Sequence, residues 1–335
     1  MSGLEKPRLA IVGVGAYFRM LSPGIAKEFE TVVTIDRNDY DSREGSLRKL
    51  IASYQPDAVM LLTPNRFHAE HIEEALGVGV PVFVEKPLVT SQSDLDRVLH
   101  AVQKNPALYC SDFYVDVWDA PLLKWLGQKI PACLEPWVEV SDSRRALWSA
   151  GRYALGEILS VEATLLEGIG PASNFVGREW LWDADHGGVL WDMGYHDLAL
   201  WFRIIGEPVE ISSVERRTIS GAPENASETY GAVEMVSASG IKFSLKVGKY
   251  IETGDDRAFK IIGTNGTVSM DFTFPSQLTW NGETSMPLAV LQGAELDYAS
   301  AAFREYVESK PTHPYGLDIA EQCVKTMLSI RERGL

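Results

Sequence analysis

The first third of the chain alternates short apolar runs with segments of helical periodicity. The apolar runs are typical of buried strands, and they lie at Arg8–Gly13, Thr31–Asp36, Ala58–Thr63, Pro81–Glu85 and Ala107–Asp112. The segments between them predict helices at Ala16–Phe29, Arg43–Tyr54, Asn65–Gly77 and Ser91–Lys104. Repeated strand–helix units of this kind indicate an α/β domain with a parallel sheet over residues 1–113.

After residue 113 the pattern changes to strands of alternating apolar and polar residues. Strands are predicted at Ile158–Glu167, Val209–Thr218, Thr229–Val236, Ile241–Tyr250, Phe259–Gly263 and Thr267–Phe272. Helices are predicted at Ala120–Lys129, Asp192–Ile205, Leu296–Ser309 and Leu317–Arg331. Ser239–Gly240 and Asn265–Gly266 are suited to hairpin turns. Antiparallel strands flanked by helices predict a second, α+β domain over residues 114–335.

Length and composition exclude several classes of protein. The 335 residues suit two domains, and a net charge of −15 argues against nucleic acid or an anionic membrane as a partner. The N-terminus lacks the apolar core of a signal peptide, and no apolar run is long enough to span a membrane. Cys110, Cys133 and Cys323 are far apart and form no C-x-x-C pair, which disfavours a disulfide or a zinc site. We therefore expect a cytoplasmic protein without a bound metal.

A glycine motif, GVGAYF, follows the first predicted strand. Gly13 suits a tight turn and Gly15 a close approach of the backbone to a pyrophosphate, although Phe18 replaces the third glycine of a dinucleotide fingerprint. Asp36 follows about 20 residues later, where a carboxylate binds an adenosine ribose and repels a 2′-phosphate. These residues favour a Rossmann domain that binds NAD, while Arg37 leaves NADP possible. The alternative is a tight turn with a solvated aspartate.

Three further motifs carry a resemblance to a known family. They are TPNRFHAEHIEEAL at Thr63–Leu76, VPVFVEKPL at Val80–Leu88 and GGVLWDMGYHDL at Gly187–Leu198. Together they resemble the glucose-fructose oxidoreductase/inositol dehydrogenase family, called Gfo/Idh/MocA, over nearly the whole chain. The resemblance implies a Rossmann domain, a larger domain with an open, mostly antiparallel sheet, a nicotinamide cofactor, and a substrate held between the two domains.

The resemblance also implies roles for single residues. Lys86, Asp192 and His196 would form the catalytic set. The cofactor would be lined by Gly13, Gly15, Ala16, Tyr17, Asp36, Arg37, Thr63, Asn65, His68, Glu85 and Lys86. The pattern agrees, since Lys86 directly follows a parallel strand, and Asp192 and His196 lie four residues apart on one face of a predicted helix. Taken singly, these residues also suit a surface lysine, a helix cap and a core histidine.

Two segments depart from the family pattern. The segment from Asp112 to Gly156 is longer than a usual link, and we interpret its arginines and tryptophans as an oligomer contact rather than a substrate lid. These residues are Trp137, Arg144, Arg145, Trp148 and Arg152. The segment Asn174–Gly188 is a better candidate for the substrate site. Its Trp180 and Trp182 suit the C–H faces of a sugar, and Arg178 suits a carboxylate or phosphate.

These observations predict an oxidoreductase that moves a hydride between nicotinamide and a carbon of a sugar, cyclitol or sugar nucleotide. Two alternatives share the fold: a glycosidase that uses NAD transiently, and a non-catalytic cofactor-binding regulator. We also expect a homodimer or homotetramer joined through an exposed face of the second domain's sheet. Val233, Met235, Phe243 and Leu245 supply alternating apolar positions for that face, although some of them must face the core.

Overall fold

The computed structural model describes residues 5–36, 47–112, 114–129, 154–168, 187–218, 227–249, 255–271, 277–287 and 295–333. They group into two compact units. Unit 1 takes its described residues from Met1–Val117 and Gln292–Val324, and unit 2 from Trp118–Ile130, Leu134–Leu291 and Lys325–Leu335. The predicted domain boundary after residue 113 stays a prediction.

Unit 1 is built on a parallel sheet. Its strands are β1 (Arg8–Val12), β2 (Glu30–Ile35), β3 (Ala58–Leu61), β4 (Val82–Glu85) and β5 (Leu108–Ser111), in the order β2-β1-β3-β4-β5. The connecting helices are α1 (Ala16–Glu28), α2 (Leu47–Ser53), α3 (His68–Leu76) and α4 (Gln92–Lys104), with a 3₁₀ turn at Asn65–Phe67. The chain leaves β1 for β2 on one side and returns to β3 on the other. The carboxyl ends of β1 and β3 therefore form a switch point, where open α/β sheets bind their ligands.

Unit 2 is built on a mixed sheet. Its strands are β6 (Ile158–Glu167), β7 (Val209–Arg217), β8 (Tyr230–Ser237), β9 (Lys242–Lys249), β10 (Asp256–Gly263), β11 (Thr267–Asp271), β12 (Gln277–Trp280) and β13 (Glu283–Pro287). Their order is β13-β12-β11-β10-β6-β9-β8-β7. Among these described strands, β6 and β9 pair in parallel and the other neighbours pair antiparallel. The predicted fold class, a Rossmann domain followed by a mostly antiparallel α+β domain, is confirmed.

One face of the unit 2 sheet is covered by helix. After α5 (Ala120–Trp125), a π-helical segment at Leu190–Gly194 leads into α6 (Tyr195–Ile204). Trp201 of α6 stacks on Phe243 of β9 with ring centroids 4.8 Å apart. A Cβ built on Gly194 would lie 3.3 Å from the Leu245 side chain, so the helix start sits directly on β9.

This packing corrects the surface predicted for oligomer contacts. Val233, Met235, Phe243 and Leu245 are all buried in the single chain. Phe243 and Leu245 lie under the helix, and all four follow the period-2 alternation of covered positions in β8 and β9. They therefore serve the core, and the expected oligomer must use other residues.

Two further helices complete the described chain, α7 (Glu295–Glu308) and α8 (Leu317–Arg333). Phe303 of α7 is fully buried in unit 1. Its ring lies 5.7 Å from Phe29, 5.4 Å from Phe83 and 5.8 Å from Tyr109, measured between centroids. Because these partners come from β4, β5 and the end of α1, α7 closes part of the core beside the parallel sheet.

Candidate active site

The turn after β1 requires a glycine at its first position. Gly13 has a φ of +95°, and a Cβ there would lie 2.7 Å from the carbonyl oxygen of Leu62. Its backbone N–H donates to the Ile35 carbonyl at 2.8 Å. The turn is thus pressed against the chain that follows β3 and tied to the end of β2, which places it at the switch point.

The N-terminus of α1 is suited to a pyrophosphate. Gly15 precedes the helix without a capping side chain, and the first turn contains no acidic residue. A Cβ built on Gly15 would meet no atom within 4 Å, so the space beside it is open. Ala16 begins the helix with a methyl side chain that leaves this approach clear. Backbone N–H groups and the helix dipole therefore face a space where an anion fits, as a nicotinamide dinucleotide requires.

Asp36 follows β2 directly and is exposed. It lies where a ribose-binding carboxylate is expected in this fold. Arg37 lies outside the described residues. The preference for NAD over NADP accordingly stays a prediction.

Tyr17 and Glu85 join the glycine turn to the end of β4. The Tyr17 hydroxyl donates to Glu85 Oε1 at 2.7 Å, and the Lys86 backbone N–H donates to Glu85 Oε2 at 3.0 Å. Burial raises the pKa of the Glu85 carboxyl to about 7, which the Tyr17 hydrogen bond opposes and the charge of Asp112 reinforces. Burial and the Glu85 charge also raise the pKa of Tyr17 well above its usual value. Glu85 therefore titrates near neutrality while it holds the backbone of Lys86.

His68 connects the loops that follow β3 and β4. Its Nε2 lies 2.8 Å from the Thr63 carbonyl oxygen, and its Nδ1 lies 2.9 Å from that of Pro87 and 3.1 Å from that of Leu88. The ring is buried, and burial lowers its pKa although the three carbonyls oppose the shift. Both ring nitrogens lie within hydrogen-bonding distance of backbone carbonyls, and the single N–H of the neutral ring donates on one side. The ring therefore lies between the loops after β3 and β4, and its role in lining the cofactor stays a prediction.

Two more of the predicted cofactor residues lie beside this loop. The Thr63 hydroxyl is 3.0 Å from His71 Nδ1, and burial lowers the pKa of His71 to about 4, so this imidazole is neutral. Asn65 is buried at the start of the 3₁₀ turn. The loop after β3 is thus held by its own side chains.

In unit 2, Glu228 caps the start of the π-helical segment. Its carbonyl accepts the Val189 N–H at 3.1 Å, and its Oε1 accepts the Leu190 N–H at 3.1 Å. Gly188 has a φ of +95°, and a Cβ there would collide with the Glu228 carboxylate. Gly188 of the third motif therefore makes room for a carboxylate cap, which also suits the helix dipole.

Asp192 lies in this π-helical segment and forms an ion pair with Lys249, the last residue of β9. The Lys249 ammonium also lies 3.9 Å from Glu167 Oε2. Sequence analysis missed Lys249, although a signal was present. Phe243, Leu245 and Val247 are buried at alternate positions of β9, and Lys249 continues that alternation onto the covered face.

His196 follows in the first turn of α6 and is buried, as is its neighbour Asp197. The predicted regular helix from Asp192 is instead a π-helical segment up to Gly194 and an α-helix from Tyr195. Extra residues in a turn of this kind are common at functional sites. The tentative substrate residues Arg178, Trp180 and Trp182 lie outside the described residues, as do Trp137, Arg144, Arg145, Trp148 and Arg152.

Comparison with protein-family models identifies both parts of the chain. Residues 8–113 match the oxidoreductase family model with an NAD-binding Rossmann fold, and residues 146–269 match the Gfo/Idh/MocA C-terminal domain. The two matches together cover more than half of the chain. The chain belongs to the Gfo/Idh/MocA family. It is an oxidoreductase with a nicotinamide dinucleotide cofactor, NAD or NADP, and the predicted family, enzyme class and cofactor are confirmed.

Individual Gfo/Idh/MocA relatives are distant. Inositol 2-dehydrogenase of Rhizobium meliloti is 23% identical over 271 residues, which are 79% of this chain and 73% of that protein. An uncharacterized protein of Saccharomyces cerevisiae is 25% identical over 256 residues, which are 74% of this chain but 63% of the yeast protein. The crystal structure of myo-inositol 2-dehydrogenase from Lactobacillus plantarum superimposes with a TM-score of 0.72 at 18% identity. That superposition covers 98% of this chain and 97% of the other, and shows a shared fold.

In the part of the chain that the structure describes, no helix is long and apolar enough to cross a membrane. The same residues contain no group of three or more histidine, cysteine, aspartate or glutamate side chains arranged to hold a metal ion.

Proposed function

We propose that this Gfo/Idh/MocA oxidoreductase is a dehydrogenase or ketoreductase of a small polyhydroxylated substrate, which is a sugar, a cyclitol or the sugar of a sugar nucleotide. One observation carries the proposal. The chain combines an open dinucleotide-binding helix start with Lys86, which directly follows β4, and with an acid–histidine pair, Asp192 and His196, at the start of α6.

Each catalytic residue has a chemical task in this proposal. When bound, the nicotinamide ring accepts or returns the hydride. An ammonium at Lys86 stabilises the charge that develops on the reacting oxygen. The imidazole of His196 accepts the hydroxyl proton, a role that histidine side chains often take in proton transfer. Asp192 orients the imidazole or the substrate hydroxyl.

The relatives support the substrate class. Inositol 2-dehydrogenases are found among them, by sequence and by structure. A cyclitol carries hydroxyl groups around its ring and no charge, so hydrogen-bonding side chains suffice to hold it. We therefore place myo-inositol first among the candidate substrates.

Turnover of a small panel tests the proposal. The protein is mixed with NAD or NADP and with myo-inositol, glucose or UDP-glucose, and reduced nicotinamide is followed by its absorbance. We expect a sustained increase with at least one substrate. Lys86→Met should lower kcat at least about a hundredfold and change NAD affinity by no more than a few-fold. Lys104→Met, an exposed change at the end of α4, is the control.

Two results would reject the dehydrogenase assignment. Cleavage of a glycoside such as p-nitrophenyl glucoside without net nicotinamide reduction would show a glycosidase with transient redox chemistry. If no substrate of the panel is oxidised although NAD binds in calorimetry, the proposed substrate class is wrong.

A further inference from the structure

The covered face of the unit 2 sheet becomes charged along one edge. On β6 the buried alternation of Val161, Ala163 and Leu165 is followed by Glu167. On β9, the corresponding buried series ends in Lys249. Because β6 and β9 are parallel neighbours and Glu167 is the register partner of Lys249, the side chains on this face change from apolar to charged at the same position along both strands. Their carboxyl ends therefore place a carboxylate and an ammonium at one edge of the core.

The sheet holds the backbone of Lys249. Its backbone N–H donates to the Thr229 carbonyl at 2.8 Å. Its side chain is only 10% exposed, so the charged form requires partners within the protein. Those partners are Glu167 on the adjacent strand and Asp192 on the π-helical segment.

We propose that Lys249 is a positioning residue of the catalytic set, which fixes Asp192 as a carboxylate against the sheet. This inference rests on the proposed function and assigns the role of Asp192 within it. A proton taken up by Asp192 would break its pair with a buried ammonium, which is costly. Asp192 therefore orients hydrogen-bonding partners, and the proton of the substrate hydroxyl goes to His196.

The ion pair also fixes the distance between the sheet and the π-helical segment that leads into α6. Asp192 lies four residues before His196, so movement of the Asp192 backbone is passed along the helix to His196. Loss of the ammonium would leave Glu167 and Asp192 as two nearby carboxylates, which repel each other. The predicted effect of losing Lys249 is a displaced Asp192 in a fold that is otherwise retained.

A double-mutant cycle tests this role with NAD and the substrate panel described above. Lys249→Met should lower kcat at least about tenfold, with the KM for NAD changed less than threefold. In an Asp192→Asn background, the same change should cost no more than about twofold, because Lys249 acts through Asp192. Lys249→Arg, which keeps the positive charge, should lower kcat less than Lys249→Met does.

Lys246→Met is the matched control, since Lys246 lies on the same strand but is exposed on the opposite face. It should leave kcat unchanged. Thermal melting of every variant accompanies the kinetics, and Lys249→Gln replaces Lys249→Met in the cycle if the methionine variant does not fold.

The outcomes separate the two proposals. If Lys249→Met lowers kcat by the same factor in both backgrounds, Lys249 has a structural role only. If Lys249→Met behaves like Lys246→Met, Lys249 has no role in catalysis, and the proposed function stands. If the wild-type protein oxidises no substrate of the panel, the proposed function is rejected and the positioning role with it.

Discussion

His68 acts on the Glu-Lys-Pro loop through backbone carbonyls rather than through its charge. Replacing it with alanine removes the ring N–H that donates to these backbone carbonyls, those of Pro87 and Leu88 on one side or that of Thr63 on the other. Each buried carbonyl left without a donor costs about 1–3 kcal/mol. We expect His68→Ala to lower the melting temperature and to weaken NAD binding roughly tenfold.

Calorimetric titration with NAD, together with a thermal melt, measures both effects. His100→Ala is the control, because His100 is exposed on α4. Wild-type affinity and stability in His68→Ala would show that the loops keep their positions without the ring.

Individual residues differ in how far the sequence predicts them. The alternation along β9 predicts that Lys249 is buried. It does not predict that Asp192 is its partner, because Asp192 is 57 residues away in the chain. The cap formed by Glu228 on Leu190 is missed for the same reason, since the two residues are 38 positions apart in the chain. Such pairs depend on tertiary packing, which local patterns do not encode.

At the scale of elements, the π-helical segment before α6 packs against a glycine of β8. A Cβ built on Gly231 would lie 2.6 Å from Cγ of Leu190, too close for two carbon atoms. We expect Gly231→Ala to destabilise the protein by about 1–3 kcal/mol, through overpacking. It should also lower kcat, since the displaced π-helical segment carries Asp192.

Urea unfolding measures the change in stability. Adding Leu190→Ala to Gly231→Ala removes the collision and should cost less than the sum of the two single changes. Without a collision, replacing glycine with alanine stabilises a strand, because alanine has less conformational freedom in the unfolded chain. A Gly231→Ala protein more stable than wild type would therefore mean that the helix start moves aside freely.

The sequence predicts β6 at its observed bounds and most other strands to within a few residues, since each alternates clearly. It misses β12 and β13, which are short and contain mixed polar residues, and of which β13 is the edge strand and ends in Pro287. Edge strands tolerate proline and polar residues, so their patterns resemble loops. The π-helical geometry at Leu190–Gly194 is likewise hidden, because its local composition is that of an ordinary helix.

For the whole molecule, Glu85 links stability to pH. Its carboxyl has a pKa of about 7 in the folded protein and 4.5 as its ordinary value. A carboxyl whose pKa is raised on folding stabilises the fold below pH 4.5, and this contribution is lost as the pH rises towards 7. Between pH 4.5 and 7, the unfolding free energy of the wild type should fall by roughly 1–2 kcal/mol more than that of Glu85→Gln, allowing for the partial exposure of Glu85.

Urea denaturation between pH 4.5 and 7.5 checks this, with Glu305→Gln, an exposed change on α7, as the control. Curves of wild type and Glu85→Gln that stay parallel across the range would show that Glu85 does not titrate there.

The position of α7 in unit 1 has a consequence for synthesis on the ribosome. Phe29, Phe83 and Tyr109 leave the ribosome early, but Phe303, which packs against all three, follows 194 residues after Tyr109. At about 5–20 residues per second, that interval is on the order of ten to forty seconds. During this time we expect the nascent cofactor domain to expose the aromatic surface that Phe303 later covers. Its core closes only when nearly the whole chain has been translated.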